Sequence, residues 1–261
     1  MKIAIIGFGE AGEMFGHGLS HQAEVFAYDI NITAEMTAKA KSANVTLSNH
    51  QTEVLAGADY IFSLVTADQV KVAAQSAAPH VTDKQIYFEM NSAAPDTKLA
   101  NAKHIQNLVD VAIMAPVYPK KMNVPLLVAH PKAQLHVATL LALGLKAEAV
   151  GHDIGKAAAI KMCRSVMIKG MEALAIECFL TARHYGIENH VKASLATSFP
   201  EMGWDKDRVD YWFERVSTHG KRRAAEMREV AKTVEAASTP SKMSQETARS
   251  QDLYNGLINR S

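Results

Sequence analysis

Only two cysteines, Cys163 and Cys178, occur in 261 residues. Both fall within one long helical pattern, about 22 Å apart along a helix axis, which is too far for a disulfide within the chain. They read as buried, reduced thiols of a cytoplasmic protein. Charge of one sign is also missing. Lys and Arg number 28 against 27 Asp and Glu, a formal net charge of +1, so neither a nucleic-acid nor a membrane partner is expected. No apolar run is long enough to span a bilayer. The first apolar stretch is short and leads straight into a glycine turn, so a signal peptide is not expected either. Eleven histidines are scattered without metal-ligand spacing. His17 and His21 are four apart, with no third ligand near them, and no metal site is expected. Solenoid repeats and low-complexity segments are absent. The remaining composition is ordinary for a globular protein, 48% apolar, with room for two domains.

The most specific segment lies at the start. Ile3-Ala-Ile-Ile-Gly-Phe-Gly-Glu-Ala-Gly12 is a short apolar strand running into G-x-G-x-x-G. A helix is expected over Glu10 to His21, then a strand over Glu24 to Asp29 that ends in an acid. Strand, glycine turn, helix, strand and terminal acid together form a dinucleotide-binding fingerprint. Gly7 permits the tight turn, Gly9 lets backbone approach a pyrophosphate, and Gly12 lets the helix lie close to the sheet. The helix N-terminus offers N–H groups and partial positive charge to phosphate. The Asp29 carboxylate can accept hydrogen bonds from ribose hydroxyls and would repel a 2′-phosphate. Ile30, Asn31 and Ile32 supply no cation to hold one. NAD is therefore expected over NADP. The expected cofactor contacts are Gly7, Phe8, Gly9, Glu10, Ala11, Gly12 and Asp29, with Val65 at the end of a later strand.

The first 150 or so residues alternate strands and helices. Strands are expected over Asp59 to Val65, Gln85 to Glu89, Val109 to Met114 and Leu126 to Ala129. Helices are expected over Ala67 to Ala77, Pro95 to Leu108 and Lys132 to Leu143, with Asn91 or Ser92 placed to cap the second of these. Such βα repeats imply a mostly parallel sheet covered on both faces. The character then changes. Lys156 to Tyr185 holds no proline and a single glycine. This is a helix of about 45 Å, with apolar residues on nearly every face, so it is expected to be buried from several sides. Helices are also expected over Glu188–Ser198, Lys206–Glu235 and Ser244–Asn259. The fold class is thus an α/β Rossmann-type domain over 1–152 followed by an all-α domain over 153–261, which is expected to pair two copies into a homodimer.

Lys161 stands out in the long helix, flanked by Ala157, Ala158, Ala159, Ile160, Met162 and Cys163. Ser165, Lys169 and Glu172 continue its face at spacings of four, four and three. On composition alone the commoner reading of such a face is a polar stripe turned to solvent. The whole chain, however, resembles the β-hydroxyacid dehydrogenases, which include 3-hydroxyisobutyrate and 6-phosphogluconate dehydrogenases, and most of all a branch with a distinctive helical C-terminal domain. That family's glycine motif matches Gly7 to Gly12. Its Asp-x-Ser-Thr segment is similar to Glu89-Met-Asn-Ser92, and its Asp-Ala-Pro-Val-Ser-Gly-Gly to Met114-Ala-Pro-Val-Tyr-Pro-Lys120. Its Lys-x-x-Asn-Asn helix motif is similar to Lys161-Met-Cys-Arg-Ser165.

The resemblance implies a catalytic lysine at Lys161, a substrate carboxylate donor at Ser92, an orienting hydroxyl at Ser165 and a further donor at Tyr118. A small hydroxy acid is the implied substrate. Free lysine titrates near pKa ~10.4, and a base working near neutrality needs that lowered toward ~7–8. Departures from the family pattern bear on the substrate. Arg164 and Ser165 stand for the two asparagines, and Tyr118-Pro-Lys120 for Ser-Gly-Gly, where proline offers no N–H. Imine reduction and non-catalytic dinucleotide sensing remain open alternatives.

Overall fold

The computed structural model describes residues 1–204 and 207–256. The chain divides into two compact units, Met1–Met162 and Cys163–Ser261. The division falls inside the long helix, whose first turns lie in the first unit.

The first unit runs β1 (Lys2–Ile6), α1 (Glu10–Leu19), β2 (Glu24–Tyr28), α2 (Ala34–Ser42), β3 (Thr46–Ser48), α3 (Gln51–Leu55), β4 (Tyr60–Ser63), α4 (Val70–Ala77), β5 (Ile86–Glu89), α5 (Pro95–Ala102), β6 (Leu108–Ile113), α6 (Val117–Lys120), β7 (Pro125–Ala129), α7 (Ala133–Ala142), β8 (Lys146–Gly151) and the start of α8 (Lys156–His184). The strands form one sheet in the order β3-β2-β1-β4-β5-β6-β7-β8. Neighbours are parallel except β6 and β7. Period-two alternation builds two cores, one on each side of the sheet. Ile3 and Ile5 of β1 pack with Phe15 and Leu19 of α1 on one face, while Ala4 and Ile6 pack with Val54 and Leu55 of α3 on the other. The chain order reverses direction across the sheet between β1 and β4, the switch point at which doubly wound folds bind ligands.

Two strands escape the sequence reading, β3 and β8. Both lie at sheet edges, are half exposed and carry polar residues such as Thr46, Ser48, Lys146 and Glu148. Paired on one side only, an edge strand has no need of the continuous apolar run that marks a central one.

Among the described residues the second unit is helical. The rest of α8 is followed by α9 (Glu188–Ser198), α10 (Arg208–Ala236) and α11 (Lys242–Leu253). The expected helix start at Lys206 and the expected end through Asn259 lie outside the described residues. An apolar cluster of Ala175, Ile176 and Phe179 from α8 packs on Val209, Trp212, Phe213 and Val216 from α10.

Two expectations about α8 are corrected. It is buried along one stripe only: Ser165, Lys169, Glu172, Ile176 and Phe179 recur every three or four residues. The opposite side is open, with Met167 63% and Leu174 58% exposed. Cys163 and Cys178 are free and exposed rather than buried, because both fall on that open side. Composition gave the helix an apolar surface all round, but the chain supplies neighbours for one face.

Candidate active site

The glycine turn leaves β1 at the switch point. Gly7 takes φ +93°, and a Cβ there would lie 2.6 Å from the Leu64 carbonyl oxygen at the end of β4. A Cβ on Gly12 would lie 2.1 Å from the Gly7 carbonyl oxygen. These two glycines therefore serve the packing of turn, helix and sheet. Gly9 differs: it is exposed, and an added Cβ would meet nothing within 4 Å. It also starts α1, where no side chain caps the helix. An open, uncapped helix N-terminus with a glycine at its mouth is a cradle for phosphate oxygens. The residues present fit a dinucleotide.

Gly9→Val is accordingly expected to leave the melting temperature nearly unchanged and to weaken dinucleotide binding at least tenfold, by filling the pyrophosphate's space. Gly12→Val is expected to destabilise the fold itself. Thermal unfolding and fluorescence titration with the dinucleotide separate the two effects.

Asp29 follows β2 directly. Its Oδ2 accepts a hydrogen bond from the Phe8 N–H at 2.8 Å, and its Oδ1 one from the Asn31 N–H at 3.0 Å. The carboxylate thus ties the glycine turn to the end of β2. With about four acceptor positions on a carboxylate, it keeps capacity for ribose hydroxyls. Glu10 and Ala11 begin α1, and Glu13, one turn on, pairs with Lys39 of α2 at 3.3 Å.

Val65 lies two residues past β4, and its N–H donates to Asn91 Oδ1 at 2.6 Å. Asn91 in turn donates through Nδ2 to Ser63 Oγ at 2.9 Å and to Glu89 Oε1 at 2.6 Å. The side chain expected to cap α5 is thus spent on the β4 and β5 exits. Ser92, half-buried beside it, does not cap either: the cap position is Ala94, without a side-chain bond. Pro95 at the first turn starts the helix in its place.

Beneath these exits lies a charged cluster that the sequence reading missed. Lys98 of α5 is fully buried. Its Nζ lies 3.5 Å from Glu89 Oε1 and 3.4 Å from Asp110 Oδ1 of β6. It also donates to the Glu89 carbonyl at 2.5 Å. Asp110 Oδ2 accepts from the backbone N–H groups of Gly155 at 2.9 Å and Ala158 at 3.2 Å, anchoring the N-terminus of α8 where its dipole favours an anion. Ala157 packs on Ala112 of β6 and Ala129 of β7. The available signal was Asp110 itself, the one charged residue in the apolar run Leu108-Val-Asp-Val-Ala-Ile113.

Lys161, half-buried, sits one turn beyond Ala157 on this anchored stretch and belongs to the sheet-bearing unit. Tyr118 lies on the short α6 after β6 and is 62% exposed. Ser165 falls in the second unit, where it is buried with its Oγ 3.4 Å from Lys169 Nζ. Lys169 pairs with Glu226 of α10 at 2.9 Å. Burial pushes its amine below the ordinary lysine range, Arg223 and Arg222 push the same way, and Glu226 opposes them. Glu172 pairs with Arg223. Lys169 and Glu172 are therefore held within the helical unit's own interior.

Comparison with known proteins gives matches in both units. Residues 2–118 match the NAD binding domain of 6-phosphogluconate dehydrogenase, and residues 182–253 match a domain of unknown function, DUF1932. A conserved hypothetical protein from Sinorhizobium meliloti 1021 is 37% identical, with 97% of this chain and 87% of that one aligned at a TM-score of 0.73. A conserved protein of unknown function, described as structurally similar to 3-hydroxyacid dehydrogenases, is 26% identical over 97% of this chain and 96% of its own, also at 0.73. A 3-hydroxyisobutyrate dehydrogenase from Salmonella typhimurium shares the fold at a TM-score of 0.77, with 14% identity over 100% of this chain and 95% of that one. An NAD(P)-binding sheet with an open glycine cradle, continued by the DUF1932 helices, places the chain in the β-hydroxyacid dehydrogenase family, in the branch with that C-terminal domain.

Proposed function

We propose that the chain is a cytoplasmic, NAD-dependent oxidoreductase that moves a hydride between the cofactor and a small β-hydroxy acid or related alcohol, with Lys161 as general acid and base. The observation that carries this reading is the open Gly9 cradle at the switch point, on the same unit as an α8 N-terminus fixed by Asp110 one turn before Lys161. The bound nicotinamide supplies the hydride acceptor. In the oxidative direction the Lys161 amine takes the hydroxyl proton as the carbon–hydrogen bond breaks, and in the reductive direction its ammonium returns a proton to the oxygen. Ser92 donates to the substrate carboxylate, and Tyr118 offers a further phenolic donor. Asp29 holds the adenosine ribose, and its charge disfavours a 2′-phosphate.

The test is a reduced-nicotinamide absorbance screen with NAD and NADP against hydroxy acids, sugar acids, their phosphates and cyclic imines. Turnover of a hydroxy acid with higher kcat/KM for NAD is expected. Preference for NADP would overturn the role given to Asp29. Turnover of imines alone, or tight cofactor binding with no turnover on any compound, would overturn the alcohol chemistry.

A further inference from the structure

We infer that Asp110 is a positioning residue for the reaction proposed above. It sets where the start of α8, and with it Lys161, stands against the β4 and β5 exits. The inference rests on the dehydrogenase reading of Lys161, and all of the residues it uses lie in the first unit.

A chain of buried polar contacts runs without a break from the strand exits to α8. The Val65 N–H donates to Asn91 Oδ1. The Asn91 backbone N–H and Nδ2 both donate to Glu89 Oε1, at 3.0 and 2.6 Å. Lys98 Nζ stands between that oxygen, at 3.5 Å, and Asp110 Oδ1, at 3.4 Å. Asp110 Oδ2 then accepts from the N–H groups of Gly155 and Ala158. Burying three charges is a poor route to stability, because well-packed apolar side chains of similar volume do as well or better. Apolar side chains cannot fix direction, however. The hydrogen bonds at the two ends of this chain constrain both distance and angle.

Two features carry that geometry to Lys161. Ala158 and Lys161 are three residues apart, so they are neighbours on one helix face, about 4.5 Å along the axis. A shift at the Ala158 N–H is therefore passed on through a single turn. Gly155, at φ +98°, packs on the start of α5: a Cβ there would lie 3.1 Å from Pro95 Cβ. Pro95 follows Ser92 by three residues. Apolar packing on Pro95 alone leaves the helix start free to pivot. The paired bonds to Asp110, one at Gly155 and one a turn later, remove that freedom. Misplacing a reacting group by about 1 Å costs about 10²-fold in rate, so the restraint has a direct chemical consequence.

The test uses the full chain, NAD and the hydroxy acid that turns over fastest in the screen above. Asp110→Ala is expected to lower kcat by about 10–100-fold, with dinucleotide affinity unchanged. Asp110→Asn, whose amide oxygen can still accept from the Gly155 N–H, is expected to lose less. In a Lys161→Met background, Asp110→Ala is expected to cause no further loss, because the group it positions is gone. A merely structural defect would slow both backgrounds alike. Hydrogen exchange followed by mass spectrometry adds a readout that needs no turnover: exchange over residues 155–160 is expected to quicken in Asp110→Ala and not in Lys161→Met. Wild-type kcat in Asp110→Ala, an equal fold loss in the two backgrounds, or unchanged exchange at the start of α8 would overturn the positioning role and leave the dehydrogenase reading standing. Full turnover in Lys161→Met would overturn that reading, and the positioning role with it.

Discussion

Replacing Lys161 with methionine is expected to lower kcat by about 10²–10⁴-fold, the usual contribution of a positioned acid or base, while dinucleotide affinity stays nearly unchanged. Methionine keeps the length and apolar stem of lysine and removes the amine. The cofactor contacts proposed above come from the glycine turn, Asp29 and Val65, none of which the substitution touches. Oxidation needs the neutral amine, so in the wild type kcat/KM for the alcohol is expected to rise with pH through the lysine's titration. Reduction needs the ammonium and is expected to fall over the same range. In Lys161→Met both limbs should flatten. Steady-state rates across pH, together with a fluorescence titration of the dinucleotide, measure these effects. Wild-type turnover in the variant would remove Lys161 from the chemistry, whatever the substrate.

Lys98→Met is expected to give the largest loss of stability, about 3–5 kcal/mol. Lys98 lies between two carboxylates that are themselves fully buried, Glu89 and Asp110. Without the ammonium, two anions share a low-dielectric interior with no counter-ion, a costly arrangement. At about 2–4 °C per kcal/mol for a protein of this size, the melting temperature should fall by about 6–20 °C. Adding Asp110→Asn should recover part of the loss, because the amide oxygen can still accept from the Gly155 N–H while one of the unpaired charges disappears. The double variant is therefore expected to be more stable than the sum of the single effects. Simple additivity in chemical denaturation would show that the three groups do not act as a unit. The cluster also bears on the site, since Asp110 anchors the base of the helix carrying Lys161 and Glu89 holds Asn91 against Val65.

Much of the sheet was legible because its signals are local. Gly7, Gly9 and Gly12 follow a buried strand at fixed offsets, and Asp29 ends the next one. The turn, the helix start and the acid each depend on backbone geometry within a few residues, and the structure puts all four where the spacing requires. The resemblance marked Lys161 through a motif only five residues long. Edge strands β3 and β8 were not legible, because a strand paired on one side carries no continuous apolar run.

The central strands and longer helices, the dinucleotide turn and the change from α/β to all-α could all be read along the chain. Each of these is encoded by periodicity or by conformational demands on neighbouring residues. Folding in three dimensions leaves Gly9 facing open space while Gly12 is hemmed in by Gly7. It also brought Lys98, Glu89 and Asp110 from three separate elements into one buried cluster, and it left the cysteine-bearing side of α8 uncovered. All of these depend on which residues distant in the chain become neighbours, and spacing along a sequence does not carry that information.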